Sequence, residues 1–189
     1  MGSVTSLINT TPDGFVDGRY SKIDSEYFDF VHTLLSDTDT VAFGRISFEQ
    51  FQATWTARMD PNHANEWQFK MARALHEIPK IVFSSTLQQI TWHNATIART
   101  VDAEAISAHK GKSKGGLLTF ASLSLVATLT EMDLIDDYYF CVQPLIAGQG
   151  EARLFNKLRL DTHRLLRFVD STDLKSGVHI IHYERVSPT

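Results

Sequence analysis

Three short runs limit what this chain can fold into: Thr40–Gly44 (TVAFG), Lys80–Ser84 (KIVFS) and Gly116–Phe120 (GLLTF). Each has strand length and is apolar with little alternation. That is the pattern of strands covered on both faces, which occur in sheets flanked by helices. The stretches between and around them alternate strand-like and helix-like periods. The pattern therefore predicts an α/β layered domain.

Ser3–Thr10 is expected to open the sheet. A helix follows, capped by Asp24 or Ser25 and running to about Ser36, with Tyr27, Phe28, Phe30, Val31, Leu34 and Leu35 on its apolar side. Helices are expected at Arg45–Ala53, at Glu66–His76 before Pro79, at Asp102–His109 and from Ser122 to about Glu131. Further strands are expected at Thr96–Thr100 and Asp137–Leu145. Arg164–Asp170 and Val178–Val186 read as two strands joined around Gly177, an antiparallel finish. The expected architecture is one domain or a tight pair, with a mixed sheet, helices on both faces and a C-terminal antiparallel hairpin. Such sheets bind ligands beyond the carboxyl ends of their parallel strands.

Composition removes several alternatives. The 189 residues are 43% hydrophobic and 21% charged, with net charge −4, which excludes a disordered or collagen-like chain. A nucleic-acid module would carry a basic stripe, and none is present. The single cysteine, Cys141, excludes an internal disulfide and a zinc site of paired cysteines, and it reads as a buried thiol. No secretory signal or membrane-length apolar run is visible, so a cytoplasmic location is expected. His179 and His182 fall three apart on a strand and point to opposite faces, so they make a poor metal pair. No metal site is expected.

Three strand ends carry candidate chemistry. At Gly44-Arg45-Ile46-Ser47 a strand gives way to a helix, so backbone N–H groups and a guanidinium converge as an anion site, or as an ordinary turn with a solvated arginine. Ser84, Ser85 and Thr86 offer hydroxyls to a phosphate or to the local backbone. At Phe120-Ala121-Ser122-Leu123 small residues admit a diphosphate to a helix start, or Ser122 caps that helix. The segment lacks the G-x-G-x-x-G fingerprint of dinucleotide-binding folds. Asp13-Gly14 is a turn signal near the same edge, and Gly148-Gln149-Gly150 reads as a loop that lets a ligand come close or as a strand terminator. His109–Gly116 (HKGKSKGG) reads as a solvated loop or a phosphate contact.

In order along the chain, several stretches resemble one family. They are Thr11–Phe15, Phe43–Glu49, Lys80–Leu87 with Trp92 and Asn94, Gly116–Ser122, Leu134–Asp137 and Pro144–Gly150 with Leu154-Phe155. Together they resemble the reductase domain of riboflavin biosynthesis, in a small stand-alone form related to dihydrofolate reductase. The resemblance implies a single domain over 1–189 with a three-layer dihydrofolate reductase-like fold and a mixed, mostly parallel central sheet, NADPH (NADP) as cofactor, a pterin-like or ribosylaminopyrimidine-like small-molecule substrate, and a homodimer.

It further implies phosphate contacts from Gly44, Arg45 and Ser47, and a 2′-phosphate site at Ser84, Ser85 and Thr86. Diphosphate contacts fall to Ala121 and Ser122, and Phe120, Leu123 and Gly148 join the cofactor-binding set. Asp13 becomes the substrate-facing acid. The chain departs from the family pattern at Ala121, where glycine is common, and at Ser47, where threonine is common. The proton-donating acid of dihydrofolate reductases lies on the first helix, which leaves Asp24, Glu26 and Asp29 as equal counterparts. The rival expectation is a non-catalytic, dimeric nucleotide- or ligand-binding protein on the same fold, and nothing in the sequence selects flavin.

Overall fold

The computed structural model describes residues 2–112, 115–120 and 122–186, with the backbone alone for 109–112. Eight strands form one sheet: β1 (Ser3–Thr10), β2 (Thr40–Gly44), β3 (Lys80–Phe83), β4 (Ala95–Ala98), β5 (Gly116–Phe120), β6 (Asp137–Val142), β7 (Leu166–Asp173) and β8 (His179–Arg185). Their spatial order is β4-β3-β2-β5-β1-β6-β8-β7. The first six are mutually parallel, β8 runs antiparallel to β6, and β7 antiparallel to β8. The expected mixed sheet with an antiparallel finish is what forms.

Strand alternation sends successive side chains to two cores. Leu7, Val41, Phe43, Val82, Leu118 and Phe120 face one core, shared with α1 (Ser25–Ser36), α2 (Arg45–Ala57) and α3 (Glu66–Glu77). Val4, Ile8, Ala42 and Leu117 face the other, shared with α4 (Ala103–Lys112) and α5 (Leu123–Glu131). Cys141 lies in the first core, and burial pushes its thiol up to about 12, as suits an inert packing residue. Among the described residues no helix is long and apolar enough to cross a membrane, and no group of three or more His, Cys, Asp or Glu could hold a metal.

Element boundaries shift where local chemistry dictates. α2 continues past Ala53 to Ala57, because Phe48, Phe51 and Trp55 keep helical spacing against the first core. β6 stops at Val142, before Pro144, which has no N–H to offer a ladder. The His109–Gly116 stretch is not all loop: its first four residues finish α4, while Ser113 and Lys114 lie outside the described residues. Gly116 has φ +76°, and a Cβ there would stand 2.1 Å from the Ser3 carbonyl oxygen. Only glycine lets β5 come in beside β1.

Lys80 is a charged residue inside the first core, 1% exposed. Its Nζ donates to the carbonyls of Leu75 (2.6 Å), His76 (3.1 Å) and Ile78 (2.7 Å), closing the C-terminus of α3. The ammonium lies 4.8 Å from the Trp92 ring centroid. Desolvation lowers its pKa from 10.5 to about 8. Between those two values the unfolded chain binds the extra proton, so this group's contribution to stability grows as pH rises through that window. Lys80→Met is expected to cost about 2–4 kcal/mol, because carbonyls at the end of α3 lose their donor. Paired denaturant melts of parent and variant at pH 7 and pH 10 should show the gap widening at the higher pH.

Candidate functional site

The chain enters the sheet at β1, steps outward through β2, β3 and β4, then returns to place β5 between β2 and β1. From there it steps the other way to β6. The connections that leave β2 and β5 therefore cross opposite faces, and a crevice opens at the carboxyl ends of these two strands. α2 begins on one side of it and α5 on the other.

The two helix starts are joined directly. Gly44 and Ser122 hold the N-cap positions of α2 and α5, and neither side chain caps its own helix. Instead the Gly44 N–H donates to Ser122 Oγ at 3.1 Å. Ser122 thus does not cap its own helix: its hydroxyl ties β2 to β5. The φ of Gly44 is −81°, which any residue adopts, so the glycine supplies a floor free of side chain.

Residues from the first turns of both helices, including Arg45, Ile46 and Ser47 and then Leu123, Ser124 and Leu125, line a shared cleft of about 840 Å³. First-turn N–H groups of an uncapped helix lack partners within the helix and favour anions. Lys157 Nζ lies 3.5 Å from Ser124 Oγ, beside the start of α5. Arg45 Nη1 donates to both oxygens of Glu49, at 3.3 and 3.1 Å, which steadies the guanidinium along α2.

A smaller pocket of about 230 Å³ opens beside this cleft and shares Val16, Gly18, Ser47 and Gln50 with it. It lies between β1, the C-terminus of β5 and the three helices of the first face, with Tyr27, Phe51, Trp55 and Phe120 on its walls.

The loops after β1 and β6 lie against one another along the same edge. Phe15 and Arg153 form an antiparallel bridge, and Val16 N–H donates to the Ala152 carbonyl at 3.1 Å. Two carboxylates fasten the pair. Asp13 accepts from the N–H groups of Ala147 (3.1 Å) and Gly148 (2.7 Å), and Asp17 accepts from Glu151 N–H (2.9 Å). The contact is close at Gly150, where a Cβ would stand 2.4 Å from Phe15 and 2.5 Å from Asp17.

The predicted site residues separate into groups. Gly44, Arg45, Ser47, Ser122 and Leu123 line the large cleft, while Phe120 and Ser47 line the side pocket. Ala121 lies outside the described residues. Ser84, Ser85 and Thr86 are not in either lining, although Phe83 just before them is. Ser84 Oγ accepts from Thr86 N–H (3.2 Å) and Leu87 N–H (2.9 Å), so its hydroxyl shapes the turn on which Ser85 and Thr86 stand exposed. Arg99 Nη1 donates to carbonyls of the same turn, Ser84 at 3.2 Å and Leu87 at 2.6 Å.

Asp13 and Gly148 belong to the loop clasp and line neither space. Bonds from the Thr11 side chain and from the Ala147 and Gly148 N–H groups lower the Asp13 carboxyl to about 2. A carboxyl so held is ionised throughout the neutral range; Asp13 accepts hydrogen bonds there and has no proton to give.

None of the three acids of the first helix lines the pocket. Asp24 caps α1 by accepting from Tyr27 N–H at 2.9 Å, Glu26 pairs with Lys175 at 2.6 Å, and Asp29 is exposed. Arg19, Asn156 and Lys157, which line the cleft, escaped the sequence reading. The signals at Asp13-Gly14 and Gly148-Gln149-Gly150 marked the right loops without marking these side chains.

With this geometry in place, comparison with known proteins is specific. The family model of the RibD C-terminal domain matches residues 3–180. YyaP of Bacillus subtilis strain 168, an uncharacterized protein, is 25% identical over 181 residues, covering 92% of this chain and 89% of that one. Two crystal structures share the fold. A pyrimidine reductase-like protein from Corynebacterium diphtheriae superposes with TM-score 0.68 at 11% identity, covering 99% of this chain and 93% of that one. RibD of Acinetobacter baumannii superposes with TM-score 0.66 at 11% identity, covering 99% of this chain and 59% of its own.

The clasp makes its own prediction. Asp13→Ala is expected to raise hydrogen exchange at the Ala147 and Gly148 amides by about tenfold, since each loses a charge-assisted acceptor. Exchange rates equal to the parent's would show that the carboxylate does not hold the loop.

Proposed function

Because this chain belongs to the RibD C-terminal domain family, we propose that it is a reductase whose large cleft holds NADPH and whose side pocket holds a pterin-like or ribosylaminopyrimidine-like small molecule. The meeting of two uncapped helix starts, α2 and α5, across one crevice carries this reading. A diphosphate needs several donors converging from different directions, and this edge offers them from two helices at once.

The donor set suits such a cofactor. First-turn N–H groups of α2 and α5 would take the diphosphate, with Arg45 and Lys157 beside them. The turn at Ser84, Ser85 and Thr86, which continues directly from the lining residue Phe83 and carries the Arg99 guanidinium, would take the 2′-phosphate. When bound, NADPH supplies a hydride from C4 of its nicotinamide ring. The chain's own part is to hold that ring against the side pocket, at the shared residues Ser47 and Gln50, and to exclude water. With Asp13 ionised and bound to the loop, solvent water supplies the balancing proton.

Titration of nicotinamide fluorescence tests this. NADPH is expected to bind at least tenfold more tightly than NADH, and Arg45→Ala and Lys157→Ala are each expected to weaken NADPH about tenfold. Equal binding of NADH would remove the 2′-phosphate role from the serine turn. No binding of either cofactor at millimolar concentration would favour the non-catalytic ligand-binding reading.

A further inference from the structure

The side pocket is walled by aromatic and aliphatic side chains, and no residue lining it carries a charge. Its polar groups include Asn9 and Tyr27, and the direction of their hydrogen bonds is set from outside the pocket. The Lys22 backbone N–H, which can only donate, meets Gln143 Oε1 at 2.7 Å. The Cys141 carbonyl, which can only accept, lies 3.4 Å from Gln143 Nε2. These two backbone groups fix the amide of Gln143, which is 1% exposed.

With Nε2 so placed, it donates to Asn9 Oδ1 at 3.1 Å. The Asn9 amide is then fixed in turn, and its Nδ2 donates to the Tyr27 hydroxyl oxygen at 2.7 Å. Among the described residues that is the hydroxyl's one partner, and there it is the acceptor. Its own hydrogen is left to the pocket it lines.

We propose that Tyr27 is the substrate-recognising donor of this pocket, and that the ligand it selects is an uncharged, flat ring system bearing a carbonyl oxygen or an unprotonated ring nitrogen. The proposal rests on the reductase reading only in taking the side pocket as the substrate's place. Charge on the ligand is disfavoured because the pocket offers no counter-ion, so a phosphoryl group would stay outside it. Burial raises the phenol well above its ordinary value, which keeps the hydrogen in place across the neutral range. Tyr27 thus binds and polarises the acceptor atom; it does not part with its proton.

Calorimetric titration without NADPH tests the assignment, so the result stands apart from cofactor binding, which fluorescence reads separately. The probes are quinazolin-4-one, which offers a carbonyl acceptor; naphthalene, which offers neither acceptor nor donor; and indole, which offers an N–H donor and no acceptor. Tyr27→Phe is expected to weaken quinazolin-4-one about tenfold and to leave naphthalene within twofold. Asn9→Asp accepts from both Gln143 and Tyr27, so it turns the phenol hydrogen away from the pocket. That variant is expected to lose quinazolin-4-one to a similar degree and to gain affinity for indole, which is uncharged and donates to the phenol oxygen then facing the pocket, a gain that misfolding cannot produce. The proposal is overturned if the parent binds no quinazolin-4-one, if Tyr27→Phe binds it within twofold of the parent, or if Asn9→Asp shows no exchange of preference.

Discussion

The position of β5 between β1 and β2 governs what this molecule can do. Parallel pairing with β2 brings the ends of the two strands side by side, and the hydrogen bond from Gly44 N–H to Ser122 Oγ holds them there. Since α2 and α5 leave those ends over opposite faces, two positive helix ends meet at one edge. The Ser122 hydroxyl bridges the strands and makes no cap bond to its own helix, so the first turn of α5 is open to an anion.

Electrostatics at this edge are local. The chain has net charge −4, yet the crevice gathers backbone N–H groups with Arg45 and Lys157. Of the carboxylates nearby, Asp13 and Asp17 are engaged with backbone amides of the facing loop and Glu49 with Arg45, while Glu151 also lines the cleft. The side pocket follows a different rule, with no formal charge and a directed chain of amides ending in a phenol. The two spaces share walls while favouring opposite kinds of chemistry.

Much of this was legible in the chain. The apolar runs announced buried parallel strands, and Gly44-Arg45 and Ser122-Leu123 announced the strand-to-helix junctions that line the cleft. Serine roles were not legible, because a hydroxyl that donates to a ligand and one that accepts from a nearby N–H leave the same letter in the sequence. Ser84 took the local bond and Ser122 took one seventy-eight positions away. Lys157 and Arg19 were invisible for a related reason: their loops meet only through pairing between the segments after β1 and β6. Tyr27 carried a helical period and read as core. It is buried as expected, but its hydroxyl direction comes from Gln143, far along the chain.

The central place of β1 also bears on how the protein assembles. It is the first strand of the chain, yet its neighbours in the sheet are β5 and β6. During synthesis Leu7 and Ile8 wait without partners until Phe120 and Phe140 have emerged, while β2, β3 and β4 can already pair among themselves. Such non-local pairing is slow, since a long loop must close before any contact rewards it. Pairing of β5 with β1 joins the strand that waited to the group of β2, β3 and β4, and Gly116, which admits β5 past Ser3, stands at that junction.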